Sequence, residues 1–435
     1  MYGALIAFCC VTVFYSTMLH NHSLLNDVSD SDLKVTPIAG THPSIAIEGI
    51  RMASAYDPWR EAQLALPRLV NHASVHLFGI GLGHLPHVLL NTSKQLEHLY
   101  IYILNKNVFK IQFENMPFKE WLNDPRVHIQ VAKPDDRPSN SGVTHTALPD
   151  LQLISPQLWR LRDRLHALLN ENFINSAFRS EDPVLQNHLK ANEPLLQHDP
   201  GVKALFSHSP ATRHACVIGS GPSLEQSMAR LQNLTVGNVQ PWVIAVDTAF
   251  AALLHAGVKV DCVVSIEKKI NTRWLPTQHS DNINLVYTPV VPKDVLLAWK
   301  GPRYASFTQT ALHQTSVFFD ASSCLFCGGS VIHTATDLAL EMGFKEISFW
   351  GVDFGYPGGK THSFWPSGEL GGQPKRSGHW VMDVNGDKLA SSPNFANYLS
   401  EMEDHIARHP HTHFFNASQS GAEILGTQPF SEYSA

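Results

Sequence analysis

From His214 to Asn416 the chain alternates short apolar, β-rich runs with stretches of helical periodicity. The strands read as His214-Ala-Cys-Val-Ile, Trp242-Val-Ile-Ala-Val-Asp, Cys262-Val-Val-Ser-Ile-Glu, Asn284-Leu-Val-Tyr-Thr-Pro, residues 304–307, Glu346-Ile-Ser-Phe-Trp-Gly-Val-Asp and Thr412-His-Phe-Phe-Asn. Helices are expected over 249–256, 293–299, 330–342 and 394–408. This alternation predicts a parallel sheet wrapped by helices. A smaller unit of the same kind precedes it. Val75-His-Leu-Phe-Gly-Ile-Gly-Leu-Gly reads as a strand ending in Gly79, Gly81 and Gly83, with helices over 59–70, 84–90, 108–115 and 118–123 and strands over 99–104 and 127–131. Upstream, Ser44-Ile-Ala-Ile-Glu-Gly-Ile-Arg-Met alternates like one half-exposed strand.

Between the two units, residues 133–150 are polar and rich in Pro and Gly, which predicts a loop or boundary. Helical periodicity returns over 156–175, with Leu158, Leu161, Leu165 and Leu168 on one face. The resulting division is an apolar segment and polar linker (1–40), a Rossmann-like αβ domain (41–150), a helical connector (151–210) and a Rossmann-like, parallel-sheet catalytic domain (211–435). The fold class is α/β.

The most informative stretch is residues 214–224, His-Ala-Cys-Val-Ile-Gly-Ser-Gly-Pro-Ser-Leu, a strand that breaks into a glycine turn and starts a helix. Gly219 and Gly221 reach backbone conformations closed to other residues, Pro222 suits a first helical turn, and Ser223 sets a hydroxyl beside unpaired amides. Such a helix start favours an anion such as a nucleotide phosphate, although many αβ proteins make the same turn and bind nothing. The spacing is neither the dinucleotide pattern nor a Walker loop. In the N-terminal unit the strand after the glycines ends in Asn105-Lys106-Asn107, without the carboxylate that would hold a ribose. Its glycines therefore read as packing positions rather than as a cofactor cradle.

Ligands of parallel sheets sit beyond the carboxyl ends of the strands. Ser220, Asp247, Glu267 and Asp353 all fall at or just past a strand end. Any one of them could be a cap or a loop acceptor, and Asp247 before Thr248-Ala249 fits a cap. Together they predict a cleft.

Composition narrows the partners. The 435 residues have a formal charge of −6 and a pI near 6.5, which gives no electrostatic footprint for nucleic acid or anionic membranes. The six cysteines imply no disulfide framework. Cys324 and Cys327 form a Cys-x-x-Cys with no nearby partners for a zinc, and read as inert thiols. Residues 3–19 are uncharged and mostly apolar, but lack the basic flanks of a membrane anchor or signal peptide. A buried segment is favoured over an anchor, and a cytoplasmic protein over a membrane-anchored one.

In order and spacing, several stretches resemble the motility-associated factor (Maf) glycosyltransferases of bacterial flagellar systems. They include Val217-Ile-Gly-Ser-Gly-Pro-Ser-Leu, Ile244-Ala-Val-Asp-Thr-Ala and Gly328-Gly-Ser-Val-Ile-His-Thr-Ala-Thr-Asp-Leu-Ala. Gly351-Val-Asp-Phe, Gly359-Lys-Thr-His-Ser and Asn416-Ala-Ser-Gln-Ser-Gly continue the match, and Phe78-Gly-Ile-Gly-Leu-Gly-His looks like the family's N-terminal domain. The sequence departs from the family in its apolar opening, and the short stretch after Gly426-Thr427 leaves little room for a C-terminal helical domain. The family's central domain is similar to bacterial sialyltransferases and also to the archaeal 6-hydroxymethylpterin diphosphokinase.

The resemblance implies transfer of a nonulosonic acid from a CMP-activated donor to a Ser or Thr hydroxyl of flagellin, with no cofactor required. It assigns Gly219, Ser220, Gly221, Pro222 and Ser223, with Gly329, Ser330 and Thr334, to nucleotide and phosphate, and Asp247 and Glu267 to the ribose. Asp353 would orient the donor or the base, and Tyr356 would donate to phosphate. His362 in Gly-Lys-Thr-His-Ser is the expected base, since a neutral imidazole suits proton removal near pH 7, with His379 as its competitor. In the diphosphokinase alternative Asp247 and Glu267 hold Mg²⁺. A non-catalytic flagellin-binding protein is the second alternative. His409, His411 and His413 resemble a metal tract, but a solvated helix end running into a strand accounts for them equally.

Overall fold

The computed structural model describes residues 32–137, 142–169, 181–206, 212–236, 240–364 and 378–431. The apolar run over 3–19 lies outside them. Among the described residues no helix is long and apolar enough to cross a membrane. The chain divides into two units, Met1–Leu169 and Asn170–Ala435, so the segment expected as a connector is shared between them.

In the first unit, β1 (Val35–Ile38), β2 (Ser44–Ile47) and β3 (Ile50–Arg51) form an antiparallel sheet. The single strand expected over Ser44–Met52 is instead a tight hairpin. Glu48 and Gly49 both take left-handed φ, 50° and 79°, the geometry a two-residue hairpin turn requires. α1 (Pro58–Leu69) starts where Asp57 accepts from Arg60 N at 2.9 Å and Pro58 fills the first turn.

A parallel sheet follows in the order β6-β5-β4-β7, built from β4 (Ser74–Phe78), β5 (His98–Ile103), β6 (Val127–Val131) and β7 (Val143–Thr146). α2 (His84–Thr92) and α3 (Lys106–Asn115) connect its strands. β7 and α4 (Leu148–Gln152) occupy part of the segment expected as a loop. Val-Thr-His-Thr is too polar to read as a strand alone, and its conformation comes from backbone pairing with β4 along Val75–Phe78. α5 (Trp159–Leu169) buries Leu161 and Leu165 in a cluster with Phe78 and Tyr102, whereas Leu168, expected on the same face, is exposed.

The second unit opens with α6 (Pro183–Leu196), capped by Asp182 on Val184 N at 2.9 Å. Its parallel sheet runs β12-β11-β10-β9-β8-β13-β16-β17. The strands are β8 (His214–Ile218), β9 (Trp242–Val246), β10 (Cys262–Ser265), β11 (Asn284–Tyr287), β12 (Arg303–Ala305), β13 (Glu346–Trp350), β16 (His413–Asn416) and β17 (Thr427–Pro429). Helices α7 (Ser223–Thr235), α8 (Asp247–His255), α9 (Lys293–Ala298), α10 (Val331–Glu341) and α11 (Pro393–Ala407) accompany them, and β14 (Trp380–Met382) pairs with β15 (Lys388–Ala390) as a separate antiparallel ribbon.

The central strands read as unbroken apolar runs because helices cover both faces of a parallel sheet. Every residue of β8 is buried. Removing a side chain such as Val217 or Ile218 from water contributes about 1.5–3 kcal/mol. At the sheet's β12 edge, Asp199 accepts from Arg303 Nε at 2.8 Å, Arg303 Nη2 at 2.9 Å and Tyr287 Oη at 3.0 Å. That network ties the end of α6 to β11 and β12.

Candidate nucleotide cavity at the sheet reversal

From β8 the chain steps outward through β9, β10, β11 and β12, then returns to lay β13 on the other flank of β8. The loops after β8 and β13 leave in opposite directions, so a crevice opens between them at the carboxyl ends of the strands. A cavity of about 500 Å³ lies there. Gly219, Ser220 and Gly221 form one wall, and Asp247, Thr248 and Glu267 to Lys269 form the next. Gly329 to Ile332 face them, with Gly351 to Gly355, Thr361, His362, Phe395 and Tyr398 completing the lining.

The glycine turn is held from below by Asp353. Its carboxylate accepts from Ser223 N at 2.8 Å, from Ser223 Oγ, and from Ser418 Oγ at 3.2 Å. The two loops lie so close that Gly219 N donates to Trp350 O and Gly221 N to Gly351 O, both at 2.7 Å. A Cβ on Gly221 would sit 2.5 Å from Asp353 Oδ2, closer than any side chain tolerates. In the first turn of α7, Leu224 N and Glu225 N bond to Gly221 O and Pro222 O.

The donors expected to cradle a phosphate at this helix start are therefore already used inside the protein, and the anion there is Asp353 itself. Pro222 and Ser223 lie buried outside the cavity lining. Of the turn's amides, Ser220 N–H has no partner among the described residues. Burial raises the pKa of Asp353, opposed by the bonds from Ser223 and Ser418.

The start of α10 is different. Gly329 has φ +90° and gives room to Tyr398, whose ring would lie 2.7 Å from an added Cβ. Ser330 caps the helix without a side-chain bond, and the first amide to turn back is His333 N, onto Ser330 O at 3.1 Å. The N–H groups of Val331 and Ile332 have no partner among the described residues. This helix start, not the glycine turn, presents open donors and its dipole to the cavity. Thr334 lies one turn further in, fully buried and outside the lining.

Asp247 accepts from Ser265 Oγ at 2.7 Å and from Thr248 N at 2.8 Å. Burial, with the nearby charge of Glu267, pushes its pKa up to about 6. Thr248 Oγ1 in turn donates to Ser220 Oγ at 2.8 Å, linking the two walls. Were a hydrated Mg²⁺ to bind, Asp247 and Glu267 are the carboxylates that would hold it, since Mg²⁺ takes one or two carboxylates beside phosphate oxygens. Among the described residues no group of three or more His, Cys, Asp and Glu is placed to hold a metal ion. In the histidine tract, His409 Nδ1 bonds to His405 O at 2.8 Å, at the end of α11.

His362 reaches the cavity because Ser363 N donates to Ser220 O at 2.8 Å and Lys360 pairs with Glu225 at 2.8 Å. Burial lowers the pKa of His362, which keeps its imidazole neutral at pH 7. Tyr356 and His379 are placed outside the lining. Tyr356 packs its ring 5.3 Å from Phe395 and donates its N–H to Ala390 O, while the His379 carbonyl accepts from Ser391 N at 3.0 Å. The aromatic wall is made instead by Phe354, Phe395 and Tyr398. The sequence gives no local motif for Phe395 and Tyr398, which α11 brings in from far along the chain.

Residues 186–359, which contribute most of this lining, match the family described as 6-hydroxymethylpterin diphosphokinase MptE-like. No curated protein matches the chain. Among solved structures, a Maf glycosyltransferase from Magnetospirillum magneticum AMB-1 is similar at 16% identity and a TM-score of 0.41, over 99% of this chain and 75% of that one. A spermidine synthase is similar at 15% identity and a TM-score of 0.24, over 32% and 53%. Tagatose-6-phosphate ketose/aldose isomerase from Escherichia coli is similar at 15% identity and a TM-score of 0.21, over 66% and 86%.

Two outcomes follow for the second unit. Asp353→Ala leaves the Ser223 and Ser418 donors unpaired in a buried site, and urea unfolding is expected to show a loss of about 3 kcal/mol. Asp247 has a folded pKa of about 6, above the ordinary carboxylate value near 3.9. Its protonated form thus favours the folded state below about pH 4, and that contribution is lost as pH rises through 6. Between pH 4 and pH 7, wild type is expected to lose about 2 kcal/mol of unfolding free energy relative to Asp247→Asn. A pH-independent difference between the two proteins would contradict this.

Proposed function

We propose that the second unit is a nucleotide-sugar-dependent glycosyltransferase that moves a nonulosonic acid from a CMP donor to a hydroxyl of flagellin. The observation that carries this reading is the facing arrangement of the open α10 start and the neutral His362 across one cavity at the sheet reversal. The nucleotide phosphate sits on the N–H groups of Val331 and Ile332, with Ser220 N–H and the exposed Lys269 at the same cavity. Asp247 and Glu267 lie where the ribose hydroxyls would be held. His362 removes the acceptor proton as the hydroxyl oxygen bonds to the anomeric carbon. The bond from that carbon to the phosphate oxygen breaks, and the electron pair leaves with CMP. Donors fixed before the reaction stabilise the charge that develops on the departing phosphate.

The resemblance of the N-terminal stretches to Maf proteins supports the sugar reading. A second reading, diphosphate transfer from ATP to hydroxymethyldihydropterin, is favoured by the family matched at residues 186–359 and by the Asp247 and Glu267 pair.

The experiment incubates the whole chain with CMP-activated sialic, pseudaminic and legionaminic acids plus flagellin, and separately with ATP plus hydroxymethyldihydropterin, each with and without chelator. Flagellin-dependent CMP release that survives chelator is expected. Chelator-sensitive AMP release with the pterin would establish the second reading, and neither product would leave a flagellin-binding protein without catalysis. In the transferase assay His362→Gln is expected to lower kcat by about 10²–10⁴-fold with little change in donor KM. Unchanged turnover would remove His362 as the base.

A further inference from the structure

One wall of the second unit's cavity carries rings rather than charge. Phe395 and Tyr398 are at i and i+3 on α11, so they share one face of that helix, and their ring centroids are 6.3 Å apart. The Tyr356 ring backs Phe395 at 5.3 Å. Tyr398 is held by α10: its carbonyl accepts from His333 Nε2 at 2.9 Å, and its ring meets the His333 ring edge-on at 6.1 Å. The wall is thus fixed before any ligand arrives.

The hydroxyl on the Tyr398 ring is unused. Tyr398 Oη has no hydrogen-bond partner among the described residues. It is not one of the unit's enclosed polar atoms, so it opens to the cavity that Tyr398 lines. Burial and, after it, the neighbouring Cys327 and Glu267 raise its pKa, so the phenol keeps its proton and can donate. A polar tip on a largely buried ring ordinarily finds a partner.

Its position says which part of a ligand it meets. A Cβ on Gly329 would lie 3.7 Å from Tyr398 Cζ, the carbon that carries the hydroxyl. Gly329 immediately precedes the cap of α10, where Val331 and Ile332 N–H take the phosphate in the transferase reading. Asp247 and Glu267 follow β9 and β10 on one side of β8, whereas α11 leads into β16, beyond β13 on the other side. In a nucleoside 5′-phosphate the base leaves the ribose at the end away from the phosphate. With the ribose at Asp247 and Glu267, the base therefore runs away from Tyr398, and the group left for the ring wall is the one bonded to the far side of the phosphate. Resting on the transferase reading, we propose that Phe395 and Tyr398 form the subsite of the transferred nonulosonic acid, with the rings against its C–H face and Tyr398 Oη donating to one of its substituent oxygens.

Isothermal titration calorimetry of the whole chain with CMP, and with unreactive 3-fluoro analogues of CMP-activated sialic, pseudaminic and legionaminic acids, tests this. Tyr398→Phe removes one oxygen at constant shape and Phe395→Leu removes a ring, with melting temperatures reporting that each variant folds. Tyr398→Phe is expected to weaken at least one analogue about tenfold while CMP stays within about twofold of wild type, and Phe395→Leu is expected to follow the same pattern. Equal weakening of CMP and the analogues, or no weakening of any analogue, overturns the proposal and leaves the nucleotide site in place. A wild type that binds neither CMP nor any analogue removes the transferase reading and the subsite together. Should Phe395→Leu fail to fold, the Tyr398→Phe comparison decides alone.

Discussion

The second unit's site depends on one buried carboxylate. Asp353 sits beneath the glycine turn after β8 and accepts from Ser223 N, Ser223 Oγ and Ser418 Oγ. An anion belongs at a helix start because the first amides there have no partner within the helix. Here the protein supplies that anion itself, from the loop after the adjacent strand β13. One contact therefore fixes the turn, docks two loops across the sheet reversal, and closes the α7 start to phosphate. The open donors lie instead at α10, whose cap residue Ser330 makes no side-chain bond and where Val331 and Ile332 N–H have no partner among the described residues.

The first unit uses the same device. Asp150, from the helix after β7, accepts from Ile80 N and Gly81 N in the turn after β4, and the absence of a Cβ on Gly79 makes room for it. In both units the glycines are required by close approach of a carboxylate or a carbonyl rather than by a phosphate. The difference lies across the cavity. The second unit has a long uncapped helix start and Lys269 facing its turn, while the first has neutral histidines and Glu61.

Much of this architecture is readable from the chain because of where burial falls. β8, β9, β10 and β13 are covered on both faces, so they appear as continuous apolar runs. β7 was hidden because its pairing with β4 is a backbone matter that Val-Thr-His-Thr does not advertise. The β2–β3 hairpin was hidden because alternation ran straight across Glu48-Gly49. At the site, the strand-end rule finds Ser220, Asp247, Glu267 and Asp353 but is silent about direction. It cannot tell that Asp353 points under the turn, that Ser223 bonds to it, or that Phe395 and Tyr398 arrive where Tyr356 and His379 were expected.

A crystal structure of the chain with CMP measures directly where the nucleotide phosphate binds. The phosphate oxygens should lie within hydrogen-bond reach of Val331 and Ile332 N–H, with Asp353 still holding Ser223. A phosphate seated on Ser223 N with Asp353 displaced, or CMP bound away from this cavity, would contradict it.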